Sequence, residues 1–266
     1  MLPFALADSL LARGRTPVLI ALKGFCDPAR VARYRHHWCS LGQFGTMMKL
    51  LRDEQCSDIS FIGTLVRPSL SDLRFDWLTV RLIPQILRGL RGGDDHVLSA
   101  TARMFENGGF RVLGIRDLAP DLLMPSGCLT HKKPDAANES DIAKGRETLR
   151  AISPFDVGQA AVVIDGYVVS VEDIEGTDAL LARIKRLREA GRLRAKPGRG
   201  VLVKSPKHGQ DLRFDLPALG PKTIQGVIEA GLAGIAVVAG HSVVAEPQEM
   251  IEAADNAGIF VVGLDY

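Results

Sequence analysis

Along the first 116 residues, short apolar runs rich in β-branched side chains alternate with longer stretches of helical periodicity. The strand-like runs fall at 18–22, 59–62 and 110–115, and the helical patterns at 44–55 and 94–107. Two parallel strands need a crossover long enough to bring the chain back, and a helix lying on the sheet face supplies it. The pattern therefore predicts a Rossmann-like α/β domain with a parallel sheet. A doubly wound domain ordinarily opens on a strand and a glycine-rich turn, whereas this sequence opens on Met1-Leu2-Pro3 and a helix-like run. The first strand of that domain is expected to be missing from this sequence.

At 266 residues and 46% hydrophobic, the chain has the material for two domains of ordinary size. The boundaries read as residues 1–122, a linker over 123–140 rich in proline and polar residues, and a second α/β domain over 141–266. In that second domain a helix is expected over 141–152. Strand-like runs at 160–164 and 167–171 are separated by Asp165-Gly166, a dipeptide suited to a type I′ turn. Thr177 is placed to cap a helix that reaches Ala190 and stops at Gly191. Strands at 235–238 and 259–262 flank a helix over 247–257. The second domain thus reads as a mixed sheet that contains a hairpin.

The run over 201–223, VLVKSPKHGQDLRFDLPALGPKT, sets charge beside apolar residues. Read as extended chain, QDLRFDL puts Asp211, Arg213 and Asp215 on one face and Leu212, Phe214 and Leu216 on the other. Asp211 and Asp215 would then lie about 13 Å apart, too far to share one metal ion. Lys204, Lys207 and Arg213 suit an anionic ligand, since ammonium and guanidinium groups make charge-assisted hydrogen bonds to phosphate. A solvated strand edge with internal ion pairs is the competing reading.

Other candidates carry the same ambiguity. Glu175-Gly176-Thr177-Asp178 opens a helix, where free N–H groups and the positive dipole end attract phosphate, yet Gly-Thr-Asp is also ordinary capping chemistry. Gly92-Gly93-Asp94-Asp95 opens another, with Asp94 a ligand contact or an N-cap. Residues 64–68 follow a strand, the usual ligand-facing end of an open α/β sheet, so Thr64 and Arg67 are candidates there. Residues 77–91 mix bulky apolar residues with three arginines around Pro84; a kinked helix on its own sheet competes with a membrane-surface or acyl-contacting role. His208 and His241 are loop histidines that could touch substrate.

Several function classes drop out. With 33 basic and 31 acidic side chains the formal charge is +2, which supplies no global field for nucleic acid. The four cysteines show no CxxC spacing or pairing framework, and the histidines form no zinc motif, which points to a reducing cytoplasm. The uncharged stretch over 230–245 is too short and too glycine-rich for a membrane span, and reads as a helix end followed by a buried strand. Pro221 stands where a P-loop needs its second glycine before Lys222-Thr223. GxGxxG, Nudix and calcineurin-like patterns are also missing from the sequence.

Four segments together resemble a known family: GGDD at 92–95, GQAAVVIDGYVVSVEDIEGTDALLARI at 158–184, VLVKSPKHGQDLRFDLPALGPKTI at 201–224 and GLAGIAVVAG at 231–240. The chain is similar over nearly its whole length to the LpxI-type UDP-2,3-diacylglucosamine diphosphatases of Gram-negative bacteria, most closely from Gln159 to Gly240. The resemblance implies hydrolysis of UDP-2,3-diacylglucosamine to 2,3-diacylglucosamine 1-phosphate (lipid X) and UMP in lipid A synthesis, with water attacking the sugar-side phosphorus. It also implies Mg²⁺, a substrate held between two domains, and a cytoplasmic protein peripheral to the inner membrane. On this reading Asp215 is the metal ligand or water-positioning base, with Asp178 or Glu175 as second choices for that role and Asp178 also a metal ligand. Lys204, Lys207 and Arg213 hold phosphates, while Gln159, Gly176, Thr177, Asp178, Thr64, Arg67 and Asp94 line the substrate site. Uracil recognition falls to the first domain by analogy. The sequence departs from the family in its opening residues and in carrying His208 where proline is common. A non-catalytic carrier or sensor of an acylated sugar phosphate is the alternative, and a transferase using the same donor a third reading. A homodimer stays open.

Overall fold

The computed structural model describes residues 2–63, 74–81, 94–207, 211–214 and 216–265, the side chains of 94–97 excepted. Two compact units emerge, residues 1–121 with 213–215, and residues 122–212 with 216–266.

The first unit runs α1 (Leu2–Ala12), β1 (Leu19–Leu22), α2 (Pro28–Val31), β2 (His36–Cys39), α3 (Phe44–Asp53), β3 (Asp58–Ile59), α4 (Asp94–Asn107), β4 (Arg111–Val112) and α5 (Ile115–Leu118). β1 pairs with β2 and β3 with β4, both parallel, as the strand–helix alternation requires. Among the described residues these are two separate two-stranded sheets rather than one continuous Rossmann sheet. The runs expected at 59–62 and 110–115 shorten to two paired residues each. β2, with sequence HHWC, carries too little apolar alternation to be read as a strand. Phe44, Met48 and Leu51 of α3 meet Phe105 of α4 and Phe110 in one core, with the rings of Phe61 and Phe214 packed against it.

The second unit continues with β5 (Gly127–Cys128), α6 (Ala136–Ile152), β6 (Ala160–Ile164), β7 (Tyr167–Val171), α7 (Gly176–Glu189), β8 (Val201–Lys204), β9 (Ala218–Leu219), α8 (Pro221–Glu229), β10 (Gly234–Val238), β11 (Val243–Val244), α9 (Pro247–Asn256) and β12 (Phe260–Leu264). Its mixed sheet has six strands in the order β5-β12-β10-β8-β6-β7. β8, β10 and β12 are mutually parallel, while β6 runs antiparallel to both β7 and β8. Helices cover both faces, which is why β6 and β10, and β8 up to its final residue Lys204, are apolar instead of alternating. Leu202 of β8 joins one core with Leu180 and Ile184 of α7, Ile224 of α8 and Met250 of α9. Its neighbours Val201 and Val203 face the other, with Ile142 and Leu149 of α6. Each such fully buried aliphatic side chain contributes about 1.5–3 kcal/mol.

The hairpin expected at Asp165-Gly166 is present, with φ of 49° and 79° at its two central residues. Buried Asp141 fixes it by accepting the backbone N–H groups of Asp165 and Gly166 at 3.1 and 2.7 Å. The stretch read as an interdomain linker is structured in two places. β5 pairs with β12, and α6 begins at Ala136, five residues ahead of the expected start, because Asp135 caps it and Asn138 returns the bond.

Candidate active site

The ends of three adjacent strands, β8, β6 and β7, come together among the strand termini on one side of the six-stranded sheet. Ala160, the first residue of β6, pairs with Lys204, the last of β8. The chain leaving β7 at Val171 stays bound there, with Glu172 N–H donating to Ala160 O at 2.8 Å. Gln159, Glu172 and Lys204 are thereby brought together, and the first turn of α7 adds Thr177.

These groups form one hydrogen-bonded chain. Glu172, 7% exposed, accepts the backbone N–H of Gln159 at 2.8 Å through Oε2 and the Thr177 hydroxyl through Oε1. The Thr177 oxygen in turn accepts from the Nζ of Lys204 at 3.0 Å. Lys204, 5% exposed, also donates to the carbonyl of Ala218 at 3.0 Å. A buried ammonium is tolerated only with such partners, and a carboxylate one hydroxyl away supplies the balancing charge. The side-chain oxygen of Gln159 is buried without a hydrogen-bond partner among the described residues. An orphan acceptor beside such a chain is an opening for a ligand donor.

Thr177 is therefore not the helix cap that its position in Gly-Thr-Asp suggests. α7 starts one residue earlier, at Gly176, with Glu175 at the N-cap making no side-chain capping bond. The hydroxyl is drawn to Glu172 instead. The neighbouring positive φ of Gly176, 82°, makes the sharp entry that turns Thr177 inward. Asp178, in the same first turn, is well exposed and pairs with Lys222 at 2.5 Å. Lys207 pairs with Asp156 at 2.5 Å, and Asp156 lies three residues before Gln159. Asp173 is held below the usual carboxylate range by the Arg183 guanidinium and the backbone N–H of Glu175. Arg183 lies 3.7 Å from the Glu175 carboxylate as well.

The extended reading of QDLRFDL does not hold over its described part. Residues 212–214 form a turn, so alternate residues are not sent to opposite faces. The Arg213 guanidinium lies over the Phe214 ring, 5.0 Å from its centroid, and its Nη1 donates to Glu106 at 2.8 Å in the first unit. Phe214 packs at a tilt against Phe61, with centroids 5.6 Å apart and ring planes 38° apart. Packing an aromatic ring into that core outweighs the regular alternation of a short polar strand. Asp211 is half-buried. Asp215, Thr64, Arg67 and His208 lie outside the described residues, as does the side chain of Asp94, whose backbone begins α4. The Nδ1 of His241 lies 3.0 Å from the carbonyl oxygen of Ala239, two residues before it.

Glu172 is the participant that sequence reasoning missed. It stands one residue past a strand and five before Thr177, a spacing with no regular periodicity. Only the return of the chain from β7 into α7 makes the two meet. Among the described residues no cluster of three histidines, cysteines or carboxylates surrounds a metal position. Mg²⁺ asks less than that, since it keeps several waters and takes one or two carboxylates together with substrate phosphate oxygens. The exposed Asp178 carboxylate fits that requirement, because its pairing with Lys222 lies at the surface, where water screens it.

Both halves of the sequence match family models, LpxI N-terminal domain over residues 1–122 and LpxI C-terminal domain over residues 125–262. The chain is also 39% identical over 264 residues to a UDP-2,3-diacylglucosamine pyrophosphatase LpxI of Caulobacter vibrioides, covering 99% of this chain and 94% of that protein. With the EGTD and VLVK segments joined by a buried chain of hydrogen bonds inside the matched region, and with both domain models satisfied in order, the protein belongs to the LpxI family.

Proposed function

We propose that this protein hydrolyses the diphosphate bond of UDP-2,3-diacylglucosamine, releasing 2,3-diacylglucosamine 1-phosphate and UMP. The observation that carries this reading is the 39% identity, running through both domains, to a UDP-2,3-diacylglucosamine pyrophosphatase. The geometry of the second unit supports it. A diphosphate must have its charge neutralised and its attacking water aligned, which calls for fixed cations and positioned acceptors rather than for a covalent nucleophile. Lys204, oriented by Thr177 and Ala218, and Lys207, paired with Asp156, are cations for that purpose. Arg213 is a third. The buried Gln159 oxygen would accept from a hydroxyl or the acylamino N–H of the sugar.

In the proposed reaction a water oxygen bonds to the sugar-side phosphorus while the bridging oxygen departs with UMP. Asp215 positions that water or helps to hold Mg²⁺, with Asp178 as the second carboxylate. Bound there, Mg²⁺ supplies charge neutralisation on the phosphate oxygens. The gene product would act as a peripheral protein on the cytoplasmic face of the inner membrane. Phe155, four residues before Gln159, and Ile174, within the Glu172–Thr177 loop, are 77% and 94% exposed and support contact with acyl chains or a lipid surface. No helix among the described residues is long and apolar enough to cross a membrane.

The test is phosphorus NMR of products formed in ¹⁸O-labelled water, with and without Mg²⁺. The reading expects the label in 2,3-diacylglucosamine 1-phosphate, and turnover lost in Asp215→Ala with lipid binding kept. Label in UMP would reverse the attacked phosphorus. Binding with no UMP under any divalent metal would make the protein a carrier, and full activity of Asp215→Ala would displace that residue from the chemistry.

A further inference from the structure

The hydrogen-bond chain that ends at Lys204 begins at a carboxylate with no assigned part in the reaction. Glu172 is buried, and its two oxygens serve different partners, Oε2 receiving the Gln159 backbone N–H and Oε1 the Thr177 hydroxyl. A hydroxyl has one proton. Once that proton is committed to Glu172, the Thr177 oxygen can only present lone pairs to Lys204, whose ammonium lies 3.0 Å away. With Ala218 O receiving a second N–H, the ammonium is held from two sides.

We propose that Glu172 is a positioning residue of the phosphate-binding site, orienting the Lys204 ammonium through the Thr177 hydroxyl. The proposal rests on the diphosphatase reading above and deepens it. The carboxylate never needs to touch substrate. Its negative charge opposes anion binding, so a residue kept there for affinity alone would be misplaced. What it offers is preorganisation, a cation held in place before charge gathers during phosphoryl transfer, so that it need not be repositioned at the moment of reaction. The same carboxylate holds the backbone at Gln159, so the orphaned amide oxygen is set by the same group.

The expected signature is a split between kcat and KM. Glu172→Gln keeps size and the bond from Gln159 N–H, but its amide can donate to Thr177, which releases the hydroxyl proton to turn toward Lys204. Thr177→Val keeps shape and removes the hydroxyl. Each should lower kcat by about tenfold or more, with KM unchanged or lowered in Glu172→Gln because a negative charge near the phosphates is gone. Thr177→Ser, which restores the hydroxyl, should stay within about threefold of wild type.

The measurement is initial-rate hydrolysis of micellar UDP-2,3-diacylglucosamine with Mg²⁺, normalised to folded protein from thermal melts run in parallel. If kcat per folded molecule is unchanged in both Glu172→Gln and Thr177→Val, the carboxylate is only a structural brace and the proposal fails. A rise in KM at constant kcat, or a Thr177→Ser variant as impaired as Thr177→Val, overturns it equally. UMP release by the wild type separates the levels: its absence removes the diphosphatase reading and this inference with it, whereas its presence beside unaffected variants removes the inference alone.

Discussion

Gly158 lies where the chain entering β6 passes against the chain leaving β7. A Cβ at this position would stand 2.2 Å from the carbonyl oxygen of Glu172. The absence of a side chain is thus what lets the Gln159 N–H reach the Glu172 carboxylate, and the two motifs GQAAVV and VEDIEGTD are locked together through it. Gly158→Ala should destabilise the second unit by about 1–3 kcal/mol, since backbone rather than a flexible side chain must give way. Chemical denaturation of the full chain measures that loss. Turnover per folded molecule should fall as well, because Glu172 and the Thr177–Lys204 pair beyond it would be displaced. An unchanged denaturation midpoint would mean that the close approach is not tight in solution.

Among elements, the N-terminus of α3 and the helical turn over 77–81 share one carboxylate. Asp76 accepts Thr46 N–H at 2.8 Å through Oδ2, and Thr79 N–H at 2.9 Å and its hydroxyl at 2.7 Å through Oδ1. The Thr79 oxygen then accepts Phe44 N–H at 3.0 Å. Burial alone would raise the Asp76 carboxyl, but these bonds from Thr79 and Thr46 outweigh it and hold it below the usual carboxylate value. A carboxyl depressed in the folded state contributes stability that is complete above the unfolded value of about 4 and fades as pH falls through the lower folded value. Asp76→Asn should therefore cost stability at pH 7, by about 1–2 kcal/mol for the weakened caps, and less as pH falls below the usual carboxylate range. Thermal melts of wild type and variant across pH 7 to 3 should converge on the acid side. Parallel curves over that whole range would rule out the shared cap as the source of the pH dependence.

At the scale of the whole molecule, the first unit is not continuous in sequence. Residues 213–215 belong to it, although the chain on either side belongs to the second unit. Phe214 packs on Phe61 beside Phe105, and Arg213 pairs with Glu106 of α4 at 2.8 Å. A fragment ending at residue 121 lacks both. It should melt at a lower temperature than the same unit in the full chain, with α3 and α4 amides exchanging faster. Phe214→Ala in the full chain should reproduce most of that effect, about 1–3 kcal/mol for a partly buried ring. Equal exchange protection in the fragment and the full chain would show that the inserted segment adds nothing to the core.

The division of the sequence into strand–helix alternation, the Asp165-Gly166 hairpin, the stop at Gly191 and the strand at 235–238 were all legible from residue order, because each depends on local periodicity or on one turn's backbone preference. The same holds for the family, whose motifs are contiguous strings. The role of Thr177, the involvement of Glu172, the turn at 212–214 and the structured stretch at 127–128 were not. Each of these is set by a partner distant in sequence or across a loop: a carboxylate five residues upstream, an ammonium 27 residues away, an aromatic core built by residues 44–110, the edge of β12. Local pattern assigns a residue its backbone state. Which buried polar group it must satisfy is decided only when the sheet closes, since the cost of leaving a donor or acceptor unpaired arises from burial and burial is a property of the folded chain.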